Sequence, residues 1–379
     1  MVYEIYGNQG LQIKNRSKTP RTFNFVLSQK SQSQQSSNFR DLLCTENYIS
    51  LIQKKDSEKT DSIFANTSDE KILQSLKQSE SKMIKVLMVL WHGETDAERG
   101  FLAALKAMGY LVVLTVINAD RDLKHLRQAL HFEINCEDYD YIYTFGTRVS
   151  LIVSEYVNNK VPIVFNAVGY PAKSGLVEDD MGHNSINDGG NFSGVGVAAP
   201  MFMQLKNMQK VLKVTHLAVL VNPQEQNSLD TLSMIKDVTP SFGIIVERFD
   251  VTNEKEIFLA LTKIQSASIP FDAIYIPSGS PFTENSKVIS DFGCKEKIAM
   301  IGEKEGMICD GALMGTVAKY RECGQLAAEI VNIHRRYRIA MAHIPVQYPK
   351  FYCIINQEVT ETLGVHPNPE KINFQWANT

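Results

Sequence analysis

From Met83 to Ile301 the chain repeats one unit: a short apolar, β-branched run, a turn, then a helical periodicity. Short strands alternating with helices of this length require right-handed crossovers, which build a parallel sheet with both faces covered. The first series places strands at Lys82–Trp91, Tyr110–Ile117, Tyr139–Thr144 and Ile163–Phe165, with helices at Ala97–Met108, Asp122–Phe132 and Thr147–Tyr156. The run Lys82–Trp91 shares a lysine-then-apolar look with a signal segment. An ordered loop and a helix follow at once, which is how a buried parallel strand reads. A polar stretch, Glu178–Ser193, and then Gly194–Val197 lead into a second series. There, helices at Met201–Leu212, Asn227–Asp237, Glu254–Gln265 and Pro281–Asp291 alternate with strands at Leu217–Val221, Ile244–Val251, Ala273–Ile276 and Ile298–Ile301. The chain continues through Ala312–Val317 to a long helix, Lys319–Arg336, a strand at Tyr352–Ile355 and Glu358–Leu363 behind it. Two series of similar size predict an α/β protein of two Rossmann-like lobes, not one large sheet.

In open parallel sheets ligands bind outside the carboxyl ends of the strands, so the turns there carry the candidates. His92 and Glu94 follow the first strand. Thr147 opens a helix after Gly146, where free N–H groups suit a carboxylate. Asn166 and Tyr170 lie on the loop after Ile163–Phe165, which breaks into Gly169, Pro171 and Ser174 like the wall of a pocket. The second series adds Asn227, Ser228, Ser278 and Glu303. Each also has a plain structural reading. Thr147, Asn227 and Ser280 suit helix caps, Glu94 and Asp96 suit first-turn acids, and His92 and Tyr170 suit loop packing. The case for a site rests on these turns converging by topology.

Chemistry is sparse in the sequence. There is no phosphate-binding G-x-x-x-x-G-K-[ST] and no G-x-S-x-G elbow. Gly194-Val195-Gly196 lacks the third glycine of a dinucleotide fingerprint, and Asp179-Asp180 reads as solvated. The 6 cysteines are scattered, without C-x-x-C or metal-ligand spacing to histidines, and read as buried and unpaired. No catalytic residue, metal or cofactor is expected. A net charge of −3 gives no basis for binding nucleic acid, and no apolar run approaches the ~20 residues of a membrane span. Residues 1–82 form a polar extension carrying Ser31–Ser37, for which disorder is the expectation, with a short helix over Asp69–Lys82. The start, Met1-Val2-Tyr3-Glu4, lacks the basic and apolar regions of a secretory signal.

A resemblance joins these pieces. It is carried by Arg99-Gly100-Phe101 with Leu105 and Gly109-Tyr110, Val161–Phe165, Pro171 and Gly175-Leu176-Val177, and Asn191–Val195. It continues through Val221-Asn222-Pro223 with Glu225 and Asn227-Ser228, Asp272–Pro277, Gly311-Ala312-Leu313, Tyr320, Gly324, Ile355-Asn356 and Leu363-Gly364. From Met83 to Val365 the chain resembles the solute-binding proteins of ABC importers, of type I periplasmic-binding-protein architecture. The subfamily it is most similar to is the one associated with tryptophan and other aromatic amino acids. The resemblance implies three crossings between the lobes, near 197, 318 and 345. It implies lobe one at 83–197 with 318–345, lobe two at 198–317 with 346–369, and a tail at 370–379. It also implies a small-molecule ligand such as an amino acid, an ABC permease as partner, a monomer and an extracytoplasmic or periplasmic place. No lipoprotein cysteine precedes the body, and Met1 read as the true start places the chain in the cytoplasm.

Two departures bear on the ligand. The family pattern has Asp-Pro where this chain has Tyr170-Pro171, and often Asp where it has Gly279. A carboxylate is the natural partner of a ligand ammonium. Glu94 and Glu303 are the candidates to replace those acids, and Tyr170 offers an aromatic face instead. Non-enzymatic solute binding for an importer is therefore the leading expectation. An intracellular sensor on the same fold is the alternative, and a cleft hydrolase is the weakest, for want of a nucleophile and base.

Overall fold

The structure is a computed structural model, and it describes residues 24–26, 82–132, 134–178 and 190–377. In chain order the first part runs β1 (Asn24–Val26), β2 (Met83–Leu90), α1 (Asp96–Ala107), β3 (Leu111–Asn118), α2 (Leu123–Phe132), β4 (Tyr141–Phe145), α3 (Thr147–Val157), β5 (Ile163–Val168) and β6 (Phe192–Gly196). The sheet order is β1-β3-β2-β4-β5-β6, parallel except for β1, which lies antiparallel on the outer edge of β3. Alternation along β2 shows why two helical layers are needed. Ile84, Val86, Met88 and Leu90 enter one core with α1, while Leu87 and Val89 enter another with α2 and α3. Successive side chains point to opposite faces, so a strand apolar at every position must be covered twice.

The second part runs α4 (Met201–Val211), β7 (His216–Val221), α5 (Gln226–Val238), β8 (Ile245–Asp250), α6 (Glu254–Gln265), β9 (Ala273–Ile276), α7 (Ser286–Glu296), β10 (Ala299–Gly302), α8 (Glu305–Cys309) and β11 (Met314–Ala318). It finishes with α9 (Tyr320–Tyr337), β12 (Phe351–Ile355), α10 (Gln357–Leu363) and β13 (Gln375–Trp376). The order of the second sheet is β13-β12-β11-β10-β9-β7-β8. Leu217, Val219 and Val221 of β7 face one core and Ala218 and Leu220 the other, repeating the pattern of β2.

The chain crosses between the sheets three times: after β6, between β11 and α9, and again before β12. At the last crossing Gln347 exchanges backbone hydrogen bonds with Gly194 and Gly196, 2.9 Å each. Between crossings α9 packs on α1, and two glycines allow the backbones to meet. A Cβ on Gly324 would stand 1.9 Å from the Ala97 carbonyl oxygen, and one on Gly100 2.2 Å from that of Arg321. Cys323, Ala327, Ala328, Ile330 and Val331 of α9 thereby join the core of the first lobe.

The α/β architecture of two parallel-dominated sheets matches the expectation, and the differences have simple causes. β12 is antiparallel to β11. β11 ends at the crossing and β12 begins there, so the returning strand must run away from the point its neighbour runs toward. The helix expected from Pro281 starts at Ser286, because Thr283 N–H first closes a turn on Gly279 O at 2.9 Å. Helix α8 has 5 residues, too few to show a period. Strand β13 pairs with β12 within the segment expected as a tail. Of the described cysteines, Cys136, Cys323 and Cys353 are buried, Cys294 is half-buried and Cys309 is exposed. Except for residues 24–26 and Lys82, the expected extension and its short helix lie outside the described residues, as does Asp179-Asp180.

Candidate functional site

The strand-end turns of both lobes do meet. Between them lies a cleft holding about 490 Å³ of space, its open mouth included. Gly169, Tyr170, Val197, Ala198 and Tyr320 approach from the first lobe and the crossings. Gln204, Asn227, Ser278, Glu303, Lys304 and Thr316 line the second.

Glu303 is the carboxylate of this lining, and the fold holds it from several sides. It leaves the end of β10 beside Tyr275, the third residue of β9. One oxygen, Oε2, accepts Ser278 N–H at 2.7 Å. The other, Oε1, accepts the Thr231 hydroxyl at 3.2 Å and lies 3.0 Å from the Tyr275 hydroxyl. Tyr275 is fully buried and also hydrogen-bonds Gln204 Oε1. Burial, and then the neighbouring Glu303 carboxylate, pushes the phenols of Tyr275 and Tyr170 far above the ordinary tyrosine value. Both therefore stay neutral donors. Tyr170 reaches over from the first lobe, its hydroxyl 3.5 Å from Thr231 Oγ1.

Contacts across the rim draw the lobes together. Asn227 Nδ2 donates to Thr147 Oγ1 at 3.3 Å, and Arg148 pairs with Glu225 at 3.3 Å. Arg121 meets Glu284 at 2.8 Å, an exposed pair of little energetic weight. Glu225 is better shielded, its side chain 12% exposed. Burial pushes its carboxyl upward, while Arg148 pulls it back. Its carboxylate fills the space over Gly279, where a Cβ would stand 2.2 Å from Oε2.

Of the residues singled out in the sequence, Tyr170, Asn227, Ser278 and Glu303 line the cleft and Thr147 stands on its rim. Four lie elsewhere. Asn166 is fully buried and donates to the Tyr143 hydroxyl at 2.9 Å. Ser228, 1% exposed, accepts Asn222 N–H at 2.9 Å and so holds a turn. His92 packs edge-on against Phe145, ring centroids 5.7 Å apart. Glu94 sits on the outer turn before α1, its carboxyl raised by partial desolvation that Arg99 opposes. Gln204, Lys304, Thr316 and Tyr320 were missed. Gln204 lies inside a helix, where no strand-end rule looks. Tyr275, which holds Glu303 and was missed as well, did have a readable signal: Asp140-Tyr141-Ile142-Tyr143 and Asp272-Ala273-Ile274-Tyr275 repeat one pattern at matching places in the two series. Among the described residues no cluster of His, Cys, Asp and Glu is placed to hold a metal, and no helix is long and apolar enough to cross a membrane.

The chain is similar to known proteins. The tyrosine-binding protein of Clostridioides difficile strain R20291 is 24% identical over 273 residues, 70% of this chain and 75% of its own. The structure of an ABC domain in complex with L-Trp from Streptococcus pneumoniae superposes with a TM-score of 0.65 at 19% identity, over 75% of this chain and 96% of that one. A ligand-free, open substrate-binding protein with adhesive properties from Clostridium difficile gives 0.61 at 20% identity, covering 78% and 99%. Both structural likenesses speak for the type I periplasmic-binding-protein fold. From the first residue of β2 to the first of β13, residues 83–375, the sequence matches the family model of the ABC transporter substrate binding proteins. The chain belongs to that family, whose members bind a small solute for an ABC importer.

Proposed function

We propose that the cleft binds an amino acid with a flat, aromatic side chain. The observation that carries this reading is Glu303, the carboxylate of the cleft lining, aimed by Ser278, Thr231 and Tyr275. An ammonium group is its natural ligand partner. Lys304, on the same wall, supplies a cation for the ligand carboxylate, with Asn227 and Ser278 as further polar partners. Tyr170 and Tyr320 supply aromatic faces. The C. difficile relative named for tyrosine and the neighbour with bound L-Trp support the same ligand class.

In this reading the protein is an extracytoplasmic monomer that performs no chemistry on its ligand and delivers it to a permease. Its lobes divide as 83–197 with 318–345, and 198–317 with 346–369. Calorimetric titration with L-tyrosine, L-tryptophan and L-leucine tests the ligand. We expect the two aromatic amino acids to bind and leucine to bind more weakly. Glu303→Gln should weaken binding at least tenfold, since a buried hydrogen bond to a charged group is worth about 1.5–3 kcal/mol. Binding of none of the three, or an affinity indifferent to Glu303, overturns the reading.

A further inference from the structure

A line of polar groups runs from the first crossing to the carboxylate of Glu303. Gln204 Nε2 donates to Ala199 O at 2.9 Å. Gln204 Oε1 contacts the Tyr275 hydroxyl, and that hydroxyl lies 3.0 Å from Glu303 Oε1. Gln204 is 5% exposed and Tyr275 0%, so water has little access to make up deficits. Counting protons shows that the line is one short. The Tyr275 hydroxyl has one proton and two acceptors to serve. Turning the Gln204 amide over lets its nitrogen donate to Tyr275 and Tyr275 donate to Glu303. Gln204 Oε1 then faces the Ala199 carbonyl, oxygen against oxygen. A buried acceptor facing an acceptor costs free energy in either arrangement.

We infer that Gln204 is a positioning residue that couples occupancy of Glu303 to the hinge at Ala199. The inference rests on Glu303 as the acceptor of a ligand cation. With the cleft empty, the Glu303 carboxylate competes for the Tyr275 proton and the bond from Gln204 to Ala199 is weakened. A ligand ammonium on Glu303 satisfies that carboxylate, frees the Tyr275 proton for Gln204 Oε1, and restores the bond to the hinge carbonyl. Closure is thereby favoured by the ligand's charge as well as by its contacts.

The test needs no ligand. In Glu303→Gln, Ser278 N–H holds the new amide oxygen where Oε2 stood, so the amide nitrogen faces Tyr275 and supplies the missing proton. Hydrogen exchange is read at Val197 and Ala198, whose N–H groups bond Val168 O and Gly169 O at 2.9 and 3.4 Å beside the hinge. In the ligand-free full chain we expect E303Q to slow exchange there roughly fivefold, the worth of one recovered hydrogen bond. Adding Gln204→Met should abolish the slowing. Tyr275→Phe breaks the same line one link further on and serves if the Gln204 variant does not fold. Unchanged exchange in E303Q, slowing that survives the second substitution, or slowing spread evenly over both lobes overturns the inference. Slowing at the hinge in a protein that binds no amino acid keeps the coupling and discards the ligand class. Binding without slowing does the reverse.

Discussion

The two lobes each bury a tyrosine against a glutamate, and only one of the pairs opens to solvent. In the first lobe Asp140 accepts Lys85 N–H at 2.7 Å, and three residues later Tyr143 donates to Glu98 at 2.8 Å. In the second, Asp272 accepts Thr215 and His216 N–H at 2.7 and 2.9 Å, and three residues later Tyr275 faces Glu303. The aspartates pin the starts of matching strands. The glutamates differ in how they are surrounded. Glu98 is fully buried, also accepts Thr95 N–H and hydroxyl at 2.7 and 2.6 Å, and closes the capping box of α1. Glu303 stands at the cleft wall with room beside it. The same pair is therefore a fastener where it is sealed and a receptor where one side is left open. Acidity alone does not separate the two roles; access to the cleft does.

The sharpest way to break this comparison is to remove each carboxylate. Glu98→Ala leaves buried donors unpaired and uncaps α1, so we expect a loss of roughly 3 kcal/mol in urea unfolding, with ligand affinity intact in the folded fraction. Glu303→Ala should change unfolding by under about 1 kcal/mol, yet reduce amino-acid affinity more than tenfold. A stability loss of similar size in both variants ends the distinction.

Removing the hydroxyls asks the same question more gently. Tyr143→Phe strips Glu98 of a donor and Asn166 Nδ2 of its acceptor, an expected cost of about 1–3 kcal/mol by thermal or urea unfolding. Tyr275→Phe removes a group with fewer protons than acceptors and should cost less. Equal costs would argue against the proton shortage in the second lobe. Tyr170→Ala should weaken an aromatic ligand by about 0.5–1.5 kcal/mol beyond lost area, and an aliphatic one by less, in paired titrations. Equal weakening of both removes its stacking role.

The smallest effect concerns pH. His334, on α9, sits 2.8 Å from the Tyr141 hydroxyl, and its folded pKa is lowered from 6.5 by desolvation and then by Arg335. A depressed folded value means stability that is complete above the unfolded pKa and lost as pH falls from there through the folded pKa. Unfolding midpoints should therefore decline below about pH 6.5, and His334→Gln should flatten that slope. A slope unchanged in the variant assigns it to other groups.

Much of this architecture was legible because strands buried on both faces must read as apolar runs, and β9 and α6 begin and end where their residues predict. Direction is not written in such a run. Phe351–Ile355 looks the same read parallel or antiparallel, and the path of the chain through the hinge decides it. The turns holding Tyr170, Asn227, Ser278 and Glu303 were found by topology alone. What their side chains do there depends on partners from other strands, such as Tyr275 and Thr231 for Glu303, which spacing along one segment does not encode. Asn166 and Ser228 read as equally promising turn residues, yet they lie inside β5 and α5 and point into hydrogen bonds of the scaffold.

The glycine-to-glycine crossing of α1 and α9 also bears on biosynthesis. The first lobe begins to emerge from the ribosome first, but the helix that completes its core arrives only with Cys323–Val331, after most of the second lobe has been made. Its waiting apolar face must stay exposed, or be guarded, while more than a hundred residues are added. A fragment ending at Val197 should accordingly bind a hydrophobic dye and resist cooperative melting until a peptide spanning 318–345 is supplied. The lobe begun first is completed late, and a pause in translation before residue 318 would hold the chain at its most adhesive.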